Sequence, residues 1–300
     1  MKTIAAKLFA SVLFGFLVSS ALFAADYRYA RIEVPNGSQT YVRGINARGD
    51  ILGSYTDADG VGHDFLLHNG VYTNIDYPGH GVARARAINA RGDIAGRFTD
   101  ANGTDHGFLL RDGKFTQIDY PGASGTWARG IDNAGDIVGS HFNGVGIEHG
   151  FILKDGIFHN IHVPSSSCEH VGMAQDNGRA VAGSFCNASD GMLYGFVRTR
   201  QGEFQTINFP GQGLICTGAR WINERGDVVG PYSKVKNPDE CGSANTHGYL
   251  MRDGKFVTID PPGAVSTQPD AINDDGQIVG LYSDKAGAMH GYRAIPKDER

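Results

Sequence analysis

Four arginines recur at one place in a repeating chain. Arg43, Arg86, Arg129 and Arg220 each stand six residues before a turn glycine (Gly49, Gly92, Gly135 and Gly226). A guanidinium keeps its charge and presents a planar fork of donors, so several brought to one point hold a carboxylate, sulfate or phosphate. Two further copies carry Gly172 and Asp270 at that position. Two residues earlier the copies differ from one another throughout: Tyr41, Arg84, Trp127, His170, Gly218 and Gln268. A residue needed only for shape tends to repeat, so this second set points to ligand contact, with Trp127, Tyr41 and His170 stacking or hydrogen-bonding and Arg84 meeting negative charge. A competing reading of the arginines is structural: each pairs with a neighbouring aspartate, for example Asp76 or Asp119.

These side chains converge only if the repeat closes on itself. The glycine of an "I-V-G" step recurs at Gly53, Gly96, Gly139, Gly183, Gly230 and Gly280, and an "HGF" step at His63, His106, His149, Tyr194, His247 and His290. Units of about 40–50 residues with several strands each are propeller blades. The third copy reads as strand a (126–132), strand b (136–142), strand c (149–154) and strand d (157–164). Pairs such as Asn69-Gly70, Asp112-Gly113, Asp155-Gly156 and Asp253-Gly254 supply the positive φ of tight hairpins. An "IDYP"-like step ends strand d five times. A sixth copy, "RIEVP" (31–35), precedes the first full repeat, while the last repeat stops after strand c. The expectation is an all-β, six-bladed β-propeller of four-stranded blades spanning 25–300, whose N-terminal strand completes the C-terminal blade and removes free sheet edges.

The pattern "GINARGDIVG…HGF…DG…IDYPG" resembles the HAF repeat of exported bacterial proteins over residues 32–292. The resemblance implies an extracellular or envelope location and no particular activity.

The chain opens with Lys2 and Lys7, an apolar run from Leu8 to Val18 and small residues to Ala25, the order of a secretory signal peptide cleaved near Ala24. Removing two lysines and no acid takes the net charge from −5 to −7, which argues against a nucleic-acid binder. Four cysteines in an exported chain imply disulfides. Cys168 lies ten residues before its turn glycine and Cys186 eight after it; Cys216 also lies ten before, and Cys241 falls in an enlarged b–c loop. The pairing expected is Cys168–Cys186 and Cys216–Cys241, on the face shared by the d–a and b–c loops.

The histidines of the "HGF" step occur once per blade, as do Asn46, Asn89, Asp132, Asn223 and Asn273, so local hydrogen bonding accounts for both sets. "TDADG" (56–60) resembles part of a calcium loop but lacks its distal glutamate; a hairpin turn explains it. His159 and His162 alternate on strand d and should not share a metal. No G-x-S-x-G, H-E-x-x-H or phosphate loop occurs. The expected function is an exported, monomeric, non-enzymatic binding module for a glycan or protein ligand, needing no cofactor. The alternatives are a lactonase-like hydrolase or polysaccharide lyase, with calcium at the axis, and a structural envelope protein.

Overall fold

The computed structural model describes residues 27–78, 83–174, 180–242 and 245–297; of residues 170–174 it describes the backbone alone. The expected leader (1–24) lies outside the described residues. Among them, six antiparallel sheets of the up-and-down kind form a six-bladed β-propeller. The first blade runs Ser38–Ile45, Ile51–Thr56, Gly62–His68 and Val71–Ile75, and the third Gly125–Ile131, Ile137–Phe142, Glu148–Lys154 and Ile157–Ile161. The ring closes as the sequence implies. Tyr27–Ile32 pairs antiparallel with Met289–Pro296, the third strand of the last blade.

Each blade buries its repeat letters. The aromatic of the "HGF" step (Phe65, Phe108, Phe151, Phe196, Tyr249 and Tyr292) is buried completely or nearly so in all six blades. The apolar residues of strand b pack on both sides: Ile51 joins the cluster of Phe65 in its own blade, while Leu52 joins that of Phe108 and Val138 that of Phe196 in the next. The aromatic ending strand d stacks on strand b of the next blade, as Tyr77 does on Phe98 (3.8 Å) and Phe209 on Tyr232 (3.6 Å). The c–d hairpins of blades 1, 2, 3 and 5 place both central residues at positive φ, for example Asp112 (51°) and Gly113 (72°), as a type I′ turn requires.

The asparagines do more than satisfy their own turns. Asn46 Nδ2 donates to Asp50 within its turn and to the Asn89 carbonyl of the next blade; Asn89 reaches the Asp132 carbonyl, Asn223 that of Asn273, and Asn273 that of Asn46. This clasp links neighbouring blades at the a–b turn end of the axis, where a cavity of only about 60 Å³ remains.

Both expected disulfides are present. Cys168 and Cys186 face each other across strands a and b, and Cys216 joins Cys241 just beyond a short 3-10 turn, Pro238–Glu240. "TDADG" is a hairpin turn in which Asp57 Oδ1 accepts the backbone N–H groups of Asp59 and Val61.

Candidate functional site

The arginines reach the axis because strand a carries a bulge in five blades and is broken at the same offset in the other. Register slips between Val42 and Gly44, Ala85 and Ala87, Ala128 and Gly130, Val171 and Met173, and Pro269 and Ala271. The extra residue is Arg43, Arg86, Arg129, Gly172 or Asp270. In the fifth blade strand a is split, and Arg220 occupies the same offset between Ala219 and Trp221. A bulge frees its residue from the ladder and re-aims its side chain. Arg43, Arg86, Arg129, Arg220 and Asp270 consequently line one axial cavity of about 300 Å³, on the side away from the asparagine clasp.

Only some of the guanidiniums are neutralised. Arg129 pairs with Glu148 (2.8 Å) and Arg220 with Asp270 (2.5 Å), while Gln268 accepts from Arg220 (3.3 Å). Arg43, Arg84 and Arg86 have no ion pair among the described residues. The aspartates of the "IDYP" step are not the arginines' partners: Asp119 binds His106 (2.7 Å), and Asp76 lies 3.9 Å from His63. The "HGF" histidines keep to local partners, as the sequence implied.

Burial pushes the Arg86 guanidinium well below its usual range, and Arg43 and Arg129 push the same way, with Asp270 opposing. Arg129 is lowered too, chiefly by burial, against the opposing Glu148. Two polar atoms at the cavity wall, Arg129 Nε and Asp270 Oδ2, are buried with no hydrogen-bond partner among the described residues. The unpartnered Arg129 Nε and the cations around it are stabilised by an anion with lone pairs to offer, whereas Asp270 Oδ2 calls for a donor such as a hydroxyl.

The more variable set divides. Tyr41 stands beside Arg43 (5.5 Å from guanidinium carbon to ring centre), Arg84 is exposed, and Gly218 lines the cavity. The side chain of His170 lies outside the described residues. Trp127 is already engaged: its indole N–H donates to Asp105 (2.8 Å), and Arg97 and Arg129 lie 3.7 Å and 4.6 Å from its ring centre. It backs the arginines rather than offering an open stacking platform.

Sequence reasoning missed Arg97, Asp105, Glu148 and Asp64. Arg97 pairs with Asp105 (3.2 Å); burial lowers its pKa to about 10, Asp105 opposing and Arg84, Arg129 and Arg43 adding to the fall. Asp64 is the one non-glycine at the centre of the "HGF" step. It is buried, accepts the Ala85 N–H (2.5 Å) and is raised to about 7 by burial, although that hydrogen bond and Arg43, Arg84 and Arg86 pull it down. The signal was present in the letters: "HDF" for "HGF" is a departure at a position the other copies keep small.

Similarity to solved structures lies in the fold. The chain is similar to the fucose-binding Aleuria aurantia lectin, solved with α-methyl-L-fucoside (TM-score 0.51, 9% identity, covering 89% of this chain and 97% of that one). It is similar to a putative TolB from Agrobacterium tumefaciens (0.57, 12%, 87% and 91%) and to AofleA from Arthrobotrys oligospora (0.52, 11%, 92% and 91%). No protein-family model and no curated protein matches the chain. At such identities the shared propeller carries no site across, so function rests on this chain's own side chains.

Proposed function

We propose that the protein is an exported binding module, of the HAF-repeat kind, that holds an acidic glycan or a similar anionic ligand at the arginine-lined mouth of a propeller. The observation that carries this is the presence of Arg43, Arg84 and Arg86 together, with no ion pair to any of them among the described residues, only the buried Asp64 carboxyl acting on all three from further off, and a cavity before two of them. Guanidinium forks match carboxylate and sulfate groups in geometry as well as charge. Two disulfides suit an oxidising, extracytoplasmic compartment. That a fucose-binding lectin shares the fold supports a glycan as ligand class, and the positive wall favours an acidic one.

Isothermal titration with galacturonate oligomers, a sulfated sugar and a neutral fucoside tests the reading. Binding of the acidic sugars that is lost in Arg86→Ala supports it; equal binding in both proteins, or preference for the neutral sugar, overturns it. A catalytic reading has one observation in its favour: Asp64, held near 7, sits in the range useful for proton transfer. Turnover of a polyuronate that disappears in Asp64→Asn would support that reading instead.

A further inference from the structure

Blade 3 departs from the other blades at a second place, between strands b, c and d. The residue two after the strand-b glycine is Tyr55, Phe98, Phe185, Tyr232 and Tyr282 in the other blades and His141 here. Elsewhere the "HGF" histidine is paired with carboxylates: His106 with Asp100 and Asp119, His63 with Asp57, His290 with Asp284 and Glu33. In blade 3 those partners become Asn143 and His162. The result is a cavity of about 410 Å³ lined by His141, His149, His162, Asn143 and Asn160.

The geometry within it favours ligation over charge pairing. The rings of His141 and His149 lie 5.5 Å apart, centre to centre. His141 is 91% buried, stacked flat on Tyr120 (3.6 Å, 5°), and its Nε2 has no hydrogen-bond partner. The Asn143 amide stands 3.3 Å from His149 Nε2. Its Oδ1 is already taken by the N–H groups of Val145 and Ile147, so Nδ2 faces the imidazole and donates to its lone pair, a long bond that an ion at Nε2 replaces. No carboxylate among the described residues pairs with His141 or His149. Imidazole holds a metal ion through a ring-nitrogen lone pair. With metal–nitrogen bonds of about 2.0 Å and each ring centre about 1.2 Å behind its nitrogen, two imidazoles on one tetrahedral ion have centres about 5 Å apart. The observed pair is near that spacing.

We propose that His141 and His149 form a binding site for a borderline divalent ion, Cu(II), Ni(II) or Zn(II), in blade 3. Imidazole ligands select such ions over Ca(II) or Mg(II). Among the described residues no three donors already stand at ligand spacing. Water, or the exposed His162 imidazole after rotation away from Glu169 (3.2 Å), completes the coordination. The site is independent of the arginine cavity.

Titration of the untagged chain with Zn(II), and the Cu(II) electron paramagnetic resonance spectrum, test it. One ion per chain and nitrogen hyperfine structure from two imidazoles are expected. His141→Phe, the residue of blades 2 and 4, should fold and weaken Zn(II) binding more than about tenfold. His149→Tyr, the residue of blade 4, is the second test and should do the same. Absence of binding by the wild-type chain, or unchanged affinity in both variants, overturns the proposal.

Discussion

The carbonyl oxygen of Trp127 occupies the space that a β-carbon on Gly139 would need. The same relation holds between Tyr41 and Gly53, Arg84 and Gly96, Gly218 and Gly230, and Gln268 and Gly280. The recurring glycine of strand b is therefore the partner of the strand-a bulge: it admits a backbone oxygen that any side chain would expel. Gly139→Ala should cost about 1–3 kcal/mol, the usual penalty of overpacking. Because relief requires flattening the bulge that aims Arg129, it should also weaken anion binding. Urea denaturation and a parallel titration check both effects; an alanine that changes neither would show the bulge to be soft.

Arg86 separates binding from stability. Its guanidinium is held among Arg43, Arg129 and Arg220 in a partly desolvated wall, with Asp270 opposing. A charge so placed opposes folding, so Arg86→Met should raise the unfolding free energy by about 1 kcal/mol or more while abolishing affinity for acidic sugars. Loss of stability in the variant would mean that Arg86 makes a structural contact that outweighs repulsion. The comparison belongs at low salt, where these charges are least screened.

Asp64 gives the fold a pH dependence of definite sign. Its pKa is raised to about 7 in the native state, against 3.8 for a free carboxyl. The folded chain therefore binds the proton more tightly than the unfolded one between those values. The stabilisation is complete below the unfolded pKa and is lost as pH rises toward the folded one. From pH 5 to pH 8 the loss at this site should be at most about 3 kcal/mol. Asp64→Asn keeps an acceptor for the Ala85 N–H and should remove that slope, so the variant gains relative to wild type at pH 8. Parallel urea curves at the two pH values decide it.

The fold was legible because each blade repeats its own instructions. Phe108, Gly96 and Asp112-Gly113 each do one local job, and a local job recurs with the period. Ring closure was legible because a spare "RIEVP" at one end matched a missing strand at the other. The axial arginines could be placed by counting back from the turn glycine, but not their partners. Arg129 meets Glu148 and Trp127 meets Asp105 only after strand c of one blade has been set against strand a, a separation of about twenty residues that no period encodes. Trp127 misled as a stacking platform for the same reason: its type is read from the chain, whereas the guanidiniums beside it come from strand b of blade 2 and strand a of blade 3. His141 is legible where the copies of strand b disagree, at the position that is Tyr or Phe in the other five blades.

The two disulfides should contribute unequally to binding though similarly to stability. Each closes a loop of modest length, 18 residues for Cys168–Cys186 and 25 for Cys216–Cys241. By loop entropy each restrains the unfolded chain by about 3 kcal/mol. The first joins residues already opposed in a hairpin, so the native blade keeps its shape without it. The second pins an enlarged loop with no ladder of its own: Cys241 packs with Met192, Leu193 and Val235, and Pro238 lies against Gly191 of blade 4. Leu193 in turn lines the arginine cavity. Replacing Cys216 and Cys241 with alanine should lower stability by about 3 kcal/mol, speed proteolytic cleavage within 236–242 and weaken anion binding. The Cys168, Cys186 double alanine should lower stability alike and leave binding near wild type. Equal binding losses in the two variants would show that the loop of blade 5 does not shape the cavity.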